Sequence, residues 1–495
     1  MRIKVLSQRS RSLRLVVFVT LCIILLTASR LNGPSVPKAI FRVGKHHSHD
    51  AARNRPKLPP GQCSPDIEFL RRLELQLTEN IVYTRRCIKP IRGKFDRDVL
   101  TNISHPLVRP DNRTTVNLTS CAHAALPPCE PLSLKVPMPY PQRQYKHLLF
   151  GVATNYERMQ NSLESFAHWL AGTGAQLYGT IIDANQNKKL NLSALEELYR
   201  QEGIVATFRP PPVTAQPIPV EHHHFMLIRE LLNISSDETK WLGIVDDDTF
   251  FPSLYDMDEE LKRYDSRKPV WLGALSDDFD SVKLWGFMAF GGAGTFLSAP
   301  LARQIEPHAE SCLSSAPAQT GDGILKHCIY THTRTKLTVV DGLHQHDLRG
   351  DVSGLFESGV RPLSIHHWKS WYREPIPKMA SVTAVCGDCF LQRWQFGNDT
   401  LFANGYSITF YPEGNGLRDI DLSRIEGTFR PQGNEYDFSY GPLRPALQPE
   451  TQKKSYKLVD VDVTHFRQIY VHRKSDAWQA DEGAMDEVIE LVWEV

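Results

Sequence analysis

The chain of 495 residues is long enough for two or three domains, and its 41% hydrophobic residues are typical of a globular protein with a sizeable core. Its 57 Lys and Arg residues nearly balance its 56 Asp and Glu residues, which leaves a formal net charge of +1. This balance gives no electrostatic reason to expect a nucleic-acid partner, and we predict none.

The N-terminus carries a targeting pattern. Five basic residues within residues 1–14 precede an uncharged, mostly apolar run over residues 15–29. That run is shorter than the roughly 20 residues of a typical membrane span, which suits the thinner membranes of the early secretory pathway. We predict a cytoplasmic tail (1–14), a signal anchor (15–29) and a lumenal remainder, that is, a single-pass type II protein. A cleaved signal peptide, which would yield a secreted form, is the alternative.

Eight cysteines lie beyond the apolar run: Cys63, Cys87, Cys121, Cys129, Cys312, Cys328, Cys386 and Cys389. An even number in an oxidising compartment predicts disulfides, although spacing alone does not fix their connectivity. Cys312 and Cys328 are placed to bridge one loop. Cys386-Gly-Asp-Cys389 lacks both the βαβ context of a redox motif and the second cysteine pair of a zinc site, so we predict a local structural disulfide.

Residues 30–143 are polar and punctuated by proline, and we predict a stem and cysteine-containing linker region there. Within it, Ile67–Leu77 has helical periodicity, while Leu126–Pro131 and Pro137–Pro141 indicate an extended linker. Three N-glycosylation sequons between Asn102 and Asn117 predict an exposed, glycosylated segment.

Strand and helix patterns alternate from residue 144 onward. Apolar strand patterns cover Leu148–Ala153, Gln176–Ile182, Ile204–Phe208 and Trp241–Val245. Helical patterns lie between them, among them Ser162–Leu170 and Glu221–Leu232. This alternation predicts an α/β domain over residues 144–373, built on a Rossmann-like, mostly parallel sheet.

An acidic triplet, Asp246, Asp247 and Asp248, directly follows the fourth strand pattern. Ligands of open α/β sheets bind beyond the carboxyl ends of the strands, which is where the triplet falls. Adjacent carboxylates at the edge of a core are costly unless a cation or hydrogen bonds compensate them. Carboxylate oxygens suit Mg²⁺ or Mn²⁺ shared with substrate phosphates. A solvated acidic turn is the alternative, but the flanking apolar strand favours a metal site.

Four further motifs carry polar chemistry or tight turns. Gly291-Gly-Ala-Gly294 indicates a loop close to a phosphate or a tight turn packed against a helix, and it is not a dinucleotide fingerprint. Asp322, flanked by Gly321 and Gly323, stands at the start of a helix, where a carboxylate is often an N-cap. His366 is either a metal ligand or a packed core imidazole. The His222–His224 run lies at a helix start, where successive residues face different ways, so we predict it to be mostly surface.

Beyond residue 373 the pattern changes to short β segments separated by turn residues. They predict a small β-rich C-terminal module over residues 374–495, without a catalytic constellation of its own.

Taken together and in order, four motifs resemble those of the fringe-like glycosyltransferases, type II Golgi enzymes of the β1,3-glycosyltransferase family. They are the acidic triplet, Gly291–Ser298, Gly321–Gly323 and Pro362–Trp368, and the C-x-x-C tail is similar to that of fungal members. The resemblance covers about residues 147–372. It implies a GT-A fold, Mn²⁺ or Mg²⁺, a UDP-sugar donor, a glycan or glycoprotein acceptor, and inversion at the anomeric carbon with a β1,3 linkage.

The same resemblance implies roles for single residues. Asp248, Asp246 and His366 would hold the metal, and Asp322 would be the catalytic base. The nucleotide-sugar site would comprise Thr154, Asp183, Asp246, Asp247, Gly291 and Gly292. One departure concerns Gly321, because related enzymes often have an acid there, so Asp277 and Asp278 are alternative bases.

Two function classes follow from these observations. The first is an inverting, metal-dependent glycosyltransferase of the Golgi lumen. The second is a catalytically inactive glycan-binding protein on a transferase scaffold, which would bind UDP with metal but not turn it over. A glycoside hydrolase also uses paired carboxylates, but the metal motif after a parallel strand gives no reason to choose it.

Overall fold

The computed structural model describes residues 63–120, 126–212, 218–412, 414, 416–430, 433–476 and 484–494, all within one unit, Pro56–Val495. The predicted cytoplasmic tail and signal anchor lie outside the described residues and stay predictions. Within these described ranges, no helix is long and apolar enough to cross a membrane.

The strands are, in chain order, β1 (Asn80–Arg92), β2 (Thr101–Ile103), β3 (Thr114–Asn117), β4 (Glu130–Val136), β5 (Leu148–Thr154), β6 (Gln176–Ile181), β7 (Val205–Arg209), β8 (Trp241–Ile244), β9 (Trp271–Gly273), β10 (Thr295–Ser298), β11 (Leu337–Val339), β12 (Arg349–Gly350), β13 (Arg393–Phe396), β14 (Thr400–Ala403), β15 (Ser407–Phe410), β16 (Phe429–Arg430), β17 (Lys454–Asp462), β18 (Arg467–His472) and β19 (Asp486–Trp493).

The α-helices are α1 (Pro65–Leu70), α2 (Tyr156–Asn161), α3 (Leu163–Leu170), α4 (Leu192–Gln201), α5 (Val220–Ile234), α6 (Leu254–Leu261), α7 (Phe279–Trp285), α8 (Ala299–Ile305), α9 (Ala309–Ser315), α10 (Gly321–His332), α11 (Ser353–Phe356), α12 (Ile376–Ala380), α13 (Thr383–Cys386) and α14 (Asp437–Tyr440). Short 3₁₀ turns cover, among others, Leu73–Leu75 and Gly291–Ala293. The helical periodicity over Ile67–Leu77 therefore corresponds to α1 and a 3₁₀ turn.

A seven-stranded sheet of the described residues has the order β11-β9-β10-β8-β5-β6-β7. All neighbours pair in parallel except β10, which is antiparallel to β8 and to β9. The predicted mostly parallel α/β sheet is confirmed. Its central strands are buried along nearly their whole length, which explains why they form continuous apolar runs in the sequence.

Aromatic side chains fill one face of this sheet below the acidic triplet. The ring of Phe150 on β5 lies 4.9 Å from that of Trp169 on α3, and Trp169 lies 4.9 Å from Phe251. Edge-to-face contacts of this kind add to the free energy gained by burying the rings. Phe251 lies three residues after Asp248, so this packing holds the chain that follows the three carboxylates.

A second sheet of ten strands contains both ends of the described chain. Its order is β2-β13-β14-β15-β17-β18-β19-β1-β3, with β4 also paired to β1. β1 runs parallel to β19 from the Ile81–Asp486 pair to the Ile88–Trp493 pair, and parallel to β4 on its other side. The predicted stem and linker character of residues 30–143 is therefore wrong for β1 to β4, because these four segments are strands of the β-rich sheet.

Two of the predicted covalent features are confirmed and one is corrected. Cys312 bonds to Cys328 and Cys386 to Cys389, and a third disulfide joins Cys87 to Cys129. Asn112, in contrast, is buried and its side-chain amide donates to Glu130. The prediction of an exposed, glycosylated segment is therefore wrong at this sequon, because a glycan needs an exposed asparagine.

Candidate active site

The acidic triplet lies at the carboxyl end of β8, where the parallel strands β5 and β6 also end. Its turn is closed by Thr249, whose hydroxyl oxygen accepts the Asp246 N–H at 2.9 Å. The same hydroxyl donates to the Gly292 carbonyl at 2.9 Å. The triplet and the glycine loop therefore form one connected structure.

His366 reaches the triplet through a short backbone pairing. The backbones of Ile365 and Phe250 exchange two hydrogen bonds, of 2.8 and 2.9 Å. This pair is an isolated bridge, and residues 361–365 do not form a strand beyond it. This pairing places His366 Nε2 3.1 Å from Asp248 Oδ1 and 3.4 Å from Asp246 Oδ2. The predicted juxtaposition of His366 with the triplet is thus present in the structure.

His367 lies in the same cluster and was missed from the sequence. In the described part of the chain, one ligand atom each of Asp248, His366 and His367 lie within 4.8 Å of one another. His367 has a backbone φ of +59°, its ring stacks on Trp371, and its Nε2 lies 3.3 Å from Asp347 Oδ1. A non-glycine residue with positive φ is strained and is often functional. The sequence signal that could have identified His367 is that it directly follows His366.

The donor set of this cluster fits a divalent cation such as Mn²⁺. Carboxylate oxygens and imidazole nitrogens together suit this metal. His366 Nδ1 lies 3.1 Å from the Gln345 carbonyl oxygen, which can only accept, so Nδ1 carries the proton and Nε2 faces the carboxylates. A second hydrogen bond of this kind commonly orients a metal-binding histidine.

The charges of the cluster support one another. Burial opposes ionisation, yet hydrogen bonds from His224 and His366 hold the pKa of Asp246 well below its usual value. Likewise, His366 outweighs burial and lowers the pKa of Asp248. Burial of the His366 ring disfavours its charge, but Asp246 and Asp248 raise its pKa to about 10. A proton on His366 therefore compensates the carboxylates where a cation would otherwise do so.

Asp247 faces a different set of partners. Arg158 binds both of its carboxylate oxygens, and the Thr154 hydroxyl donates to Oδ2 at 2.8 Å. Asp247 is buried, and its charge is neutralised by this guanidinium. Thr154 and Asp247 are thus brought together as the parallel strands predict, and a ligand would meet Arg158 before it met Asp247.

A cavity of about 590 Å³ opens above these residues. Asp246, with 40% of its side chain exposed, is the triplet member most open to solvent. Arg158 and Lys369 add two cationic side chains to an otherwise acidic lining. The lining residues are Arg158, Asn161, Asp246, Asp247, Asp248, Gln345, His366, His367, Lys369, Ser370 and Trp371. Cations beside a metal-binding cluster suit a ligand that carries phosphate.

Asp322 lies on the other side of Asp246, at the start of α10. Its Oδ2 accepts the Gly291 N–H at 3.0 Å, whereas its Oδ1 is buried and has no hydrogen-bond partner. The N-cap of α10 is Thr320, so Asp322 is free of the capping role that its position suggested. Burial raises the pKa of Asp322, against the opposing influence of His224 and the Gly291 N–H.

Two residues of the histidine run at the start of α5, His223 and His224, are mostly covered, so the prediction of a surface site is wrong for them. Only 16% of the His224 side chain is exposed, and His223 is buried as well. His224 Nε2 lies 3.5 Å from Asp246 Oδ1, and Nδ1 lies 4.0 Å from Asp322 Oδ1. A helix that follows a parallel strand starts at the carboxyl edge of the sheet, which was the signal that could have placed His224 in the site.

The glycine loop packs against these imidazole rings. A Cβ at Gly292 would lie 2.1 Å from His366 Cε1, and one at Gly291 would lie 2.7 Å from Asp322 Oδ1. Both separations are too short for non-bonded atoms, so only glycine permits this close approach. The Gly291–Gly294 motif therefore forms a tight turn that packs against His366, His224 and Asp322, while its proximity to a phosphate stays a prediction.

The remaining predicted residues make other contacts. Asp183 accepts the Tyr156 N–H at 2.9 Å and is not among the residues that line the cavity. Asp277 lies 2.9 Å from His344 Nδ1 and accepts the His346 N–H at 2.6 Å. Asp278 is the N-cap of α7. Because their oxygens are engaged in structural contacts, Asp277 and Asp278 are weaker candidates for a base than Asp322.

Comparisons with known proteins give limited matches. A family model described as a protein of unknown function, DUF604, matches residues 283–389, which include the glycine loop, Asp322 and His366. No curated protein matches the chain.

Several solved structures are similar over part of the chain. Mouse xyloside xylosyltransferase 1 in its apo form is 12% identical and covers 39% of this chain and 85% of its own, with a TM-score of 0.27. A 4-diphosphocytidyl-2C-methyl-D-erythritolsynthase from Anaerococcus prevotii is 10% identical (40% and 89% covered, TM-score 0.26). The mannosyltransferase PcManGT from Pyrobaculum calidifontis, in complex with GDP-Man and Mn²⁺, is 9% identical (39% and 56% covered, TM-score 0.24). TM-scores this low do not establish a common fold.

Proposed function

We propose that this chain is a metal-dependent glycosyltransferase of the GT-A class, which transfers a sugar with inversion from a UDP-sugar to a glycan or glycoprotein acceptor, forming a β1,3 linkage. One observation carries the proposal. The carboxylates and imidazoles of Asp246, Asp248, His366 and His367 meet at the carboxyl edge of the parallel strands and face a cavity with two cationic side chains. The finer points, namely donor, inversion and linkage, follow from the resemblance of the motifs.

In this proposal the residues around the cation site have different roles. Asp248 and His366, with Asp246 or His367, would hold Mn²⁺ or Mg²⁺, which supplies Lewis-acid stabilisation of the departing nucleoside diphosphate. Arg158, held by Asp247, and Lys369 would bind phosphate oxygens from the cavity wall. Thr154 positions Asp247 through its hydroxyl.

Asp322 is suited to the role of general base. The Gly291 N–H fixes one carboxylate oxygen, and the other has no hydrogen-bond partner and can accept a proton. Asp322 would take the proton from the acceptor hydroxyl as this attacks the anomeric carbon of the donor. Asp246 faces His366 through Oδ2 and faces His224, the neighbour of Asp322, through Oδ1, so the cation and the base would occupy separate walls of the site.

We place the reaction in the secretory pathway, on the lumenal side of the Golgi membrane. Three disulfides among the described residues support an oxidising compartment. The predicted signal anchor over residues 15–29 supports membrane attachment.

The test is UDP release by the purified chain across a panel of UDP-sugars, with Mn²⁺ or with EDTA. We expect Mn²⁺-dependent release with one preferred donor, lost in Asp248→Asn. Asp280→Asn is the matched control, because Asp280 is exposed and pairs only with the neighbouring Lys283. Mn²⁺-dependent UDP binding without turnover for any donor and acceptor would instead indicate the glycan-binding protein. Neither turnover nor Mn²⁺-dependent binding by calorimetry would overturn the proposal.

A further inference from the structure

His224 belongs to no part of the reaction described so far, yet it lies between the two functional carboxylates. Its Nε2 faces Asp246 Oδ1 at 3.5 Å and its Nδ1 faces Asp322 Oδ1 at 4.0 Å. It projects from α5, whereas Asp322 stands on α10 and Asp246 follows β8. Three separate elements therefore converge on this imidazole ring.

Two glycines create the space that the ring occupies. A Cβ at Gly321 would lie 2.5 Å from His224 Nδ1, and a Cβ at Gly291 would lie 2.9 Å from His224 Cε1. Any larger residue at either position would displace the ring or the backbone. The ring is consequently held in place from two sides, with little freedom to turn away from the carboxylates.

Asp322 needs such a neighbour. Its Oδ2 is fixed by the Gly291 N–H, but its Oδ1 has no hydrogen-bond partner, so rotation about the last side-chain bond is restrained on one side only. The polar atom opposite Oδ1 is His224 Nδ1. At 4.0 Å this contact is not a hydrogen bond, so the ring acts through packing and through its field rather than by direct bonding.

The geometry points to His224 as the positioning residue of the proposed base. It holds the Asp322 carboxylate in one orientation, and it touches neither substrate nor reacting atoms. This inference rests on the proposed function, since it assigns a role within the same reaction. Misplacing a catalytic group by about 1 Å can lower a rate about a hundredfold, so a positioning contact of this kind has a measurable effect.

The first test is a double-mutant cycle between His224 and Asp322. We expect His224→Ala to lower kcat at least about tenfold, and by a larger factor than it weakens the Mn²⁺-dependent binding of UDP, which its contact with Asp246 supports. In an Asp322→Asn background, His224→Ala should change kcat less than about twofold, because the group it positions is already lost. Additive losses in the cycle would overturn the inference.

A second pair of variants distinguishes a role of Nδ1, which faces Asp322, from a role of Nε2, which faces Asp246. The amide nitrogen of Asn takes roughly the place of Nδ1, and that of Gln the place of Nε2. If the ring positions Asp322, His224→Asn retains more turnover than His224→Gln. The reverse order, or a loss of Mn²⁺-dependent UDP affinity as large as the loss of kcat, would show that His224 acts through Asp246 and would overturn the inference.

Gly321→Ala keeps every titratable group and displaces the ring instead. We expect it to lower kcat as His224→Ala does, and the double variant to be no worse than His224→Ala, since removing the ring makes room for the methyl group. Melting temperatures check that each variant is folded. If His224→Ala and Gly321→Ala are folded and both retain full turnover, the inference is wrong while the proposed function still holds. A wild-type chain without turnover would overturn the proposed function and this inference with it.

Discussion

His366 lies against Asp246 and Asp248 and has a strongly shifted pKa. Two carboxylates face its Nε2, and they raise its pKa to about 10 although burial opposes the charge. Because this pKa lies above the ordinary value of 6.5, the contribution to stability is complete below pH 6.5 and is lost as the pH rises through about 10. At neutral pH the metal-free protein therefore holds a proton at the position that a cation would take.

Mn²⁺ binding should accordingly release protons. We expect close to one proton per Mn²⁺ bound near pH 7, and an affinity that rises with pH, because the metal must displace the proton on His366 Nε2. Calorimetry in buffers with different ionisation enthalpies measures the proton count. His366→Ala should abolish both the binding and the proton release, while His465→Ala, an exposed histidine paired with Asp462, should change neither. Binding without proton release, or affinity that falls with pH, would contradict this account.

Asp322 and Asp277 can be distinguished as candidate bases by whether their substitution lowers kcat or lowers the melting temperature. Asp322→Asn should lower kcat at least about a hundredfold, as expected for loss of a general base, with Mn²⁺-dependent UDP binding retained. Asp277→Asn should chiefly lower the melting temperature, because it breaks the contacts with His344 and the His346 N–H. If Asp277→Asn abolished turnover at an unchanged melting temperature, Asp322 would not be the base.

The same carboxylate predicts the acid side of the pH profile. Burial raises the pKa of Asp322 above its ordinary value of 3.8, and a base acts only when it is deprotonated. We therefore expect kcat to fall as the pH decreases through a value above 3.8. Steady-state kinetics at saturating donor and Mn²⁺ measure this limb, which should be missing from the residual activity of Asp322→Asn.

At the scale of elements, Gly292 allows the 3₁₀ turn of the glycine loop to pack closely against His366. In Gly292→Ala the new Cβ would lie 2.1 Å from His366 Cε1, so the ring must move away from Asp248. We expect Mn²⁺-dependent UDP binding to weaken at least about tenfold, since a shifted ligand degrades metal affinity. Gly427→Ala is the control, because its nearest non-bonded atom would be 3.4 Å away. Equal affinities in the two variants would contradict this packing role.

Local sequence signals predicted the elements that carry the triplet, but not the contacts between distant elements. The apolar run before Asp246 is a property of neighbouring residues, and it forms β8. The prediction of a surface position for His224 rested on its place at a helix start, whereas its position in the site depends on Gly321 and Gly291, which are far away in the chain. Hydrophobic periodicity reports which side of an element is apolar, and does not report which distant glycine leaves room for a ring.

At the scale of the whole molecule, the same limit explains why β1 to β4 were not predicted within the stem and linker region, residues 30–143. β1 pairs with β19, from Ile81 opposite Asp486 to Ile88 opposite Trp493, across nearly the full length of the described chain. β1 is also irregular in burial and contains Pro90, so it lacks the strict alternation that marks a strand. A buried ion cluster lies at the start of β17, because Lys453 binds Glu357, which follows α11, and Glu426.

This arrangement predicts that residues 63–143 are needed for folding and cannot be removed as a stem. A protein spanning residues 144–495 would lose β1 to β4, which would expose one edge of β19 and the apolar side chains that Ile88, Leu132 and Leu134 cover. An unpaired, apolar edge strand promotes aggregation. We expect this protein to be insoluble or to lack a cooperative thermal transition, whereas residues 56–495 should fold and bind UDP with Mn²⁺. Circular dichroism melting and size-exclusion chromatography of the two proteins measure the difference. A soluble 144–495 protein with an unchanged melting temperature would show that the N-terminal strands are an accessory to the sheet rather than part of its core.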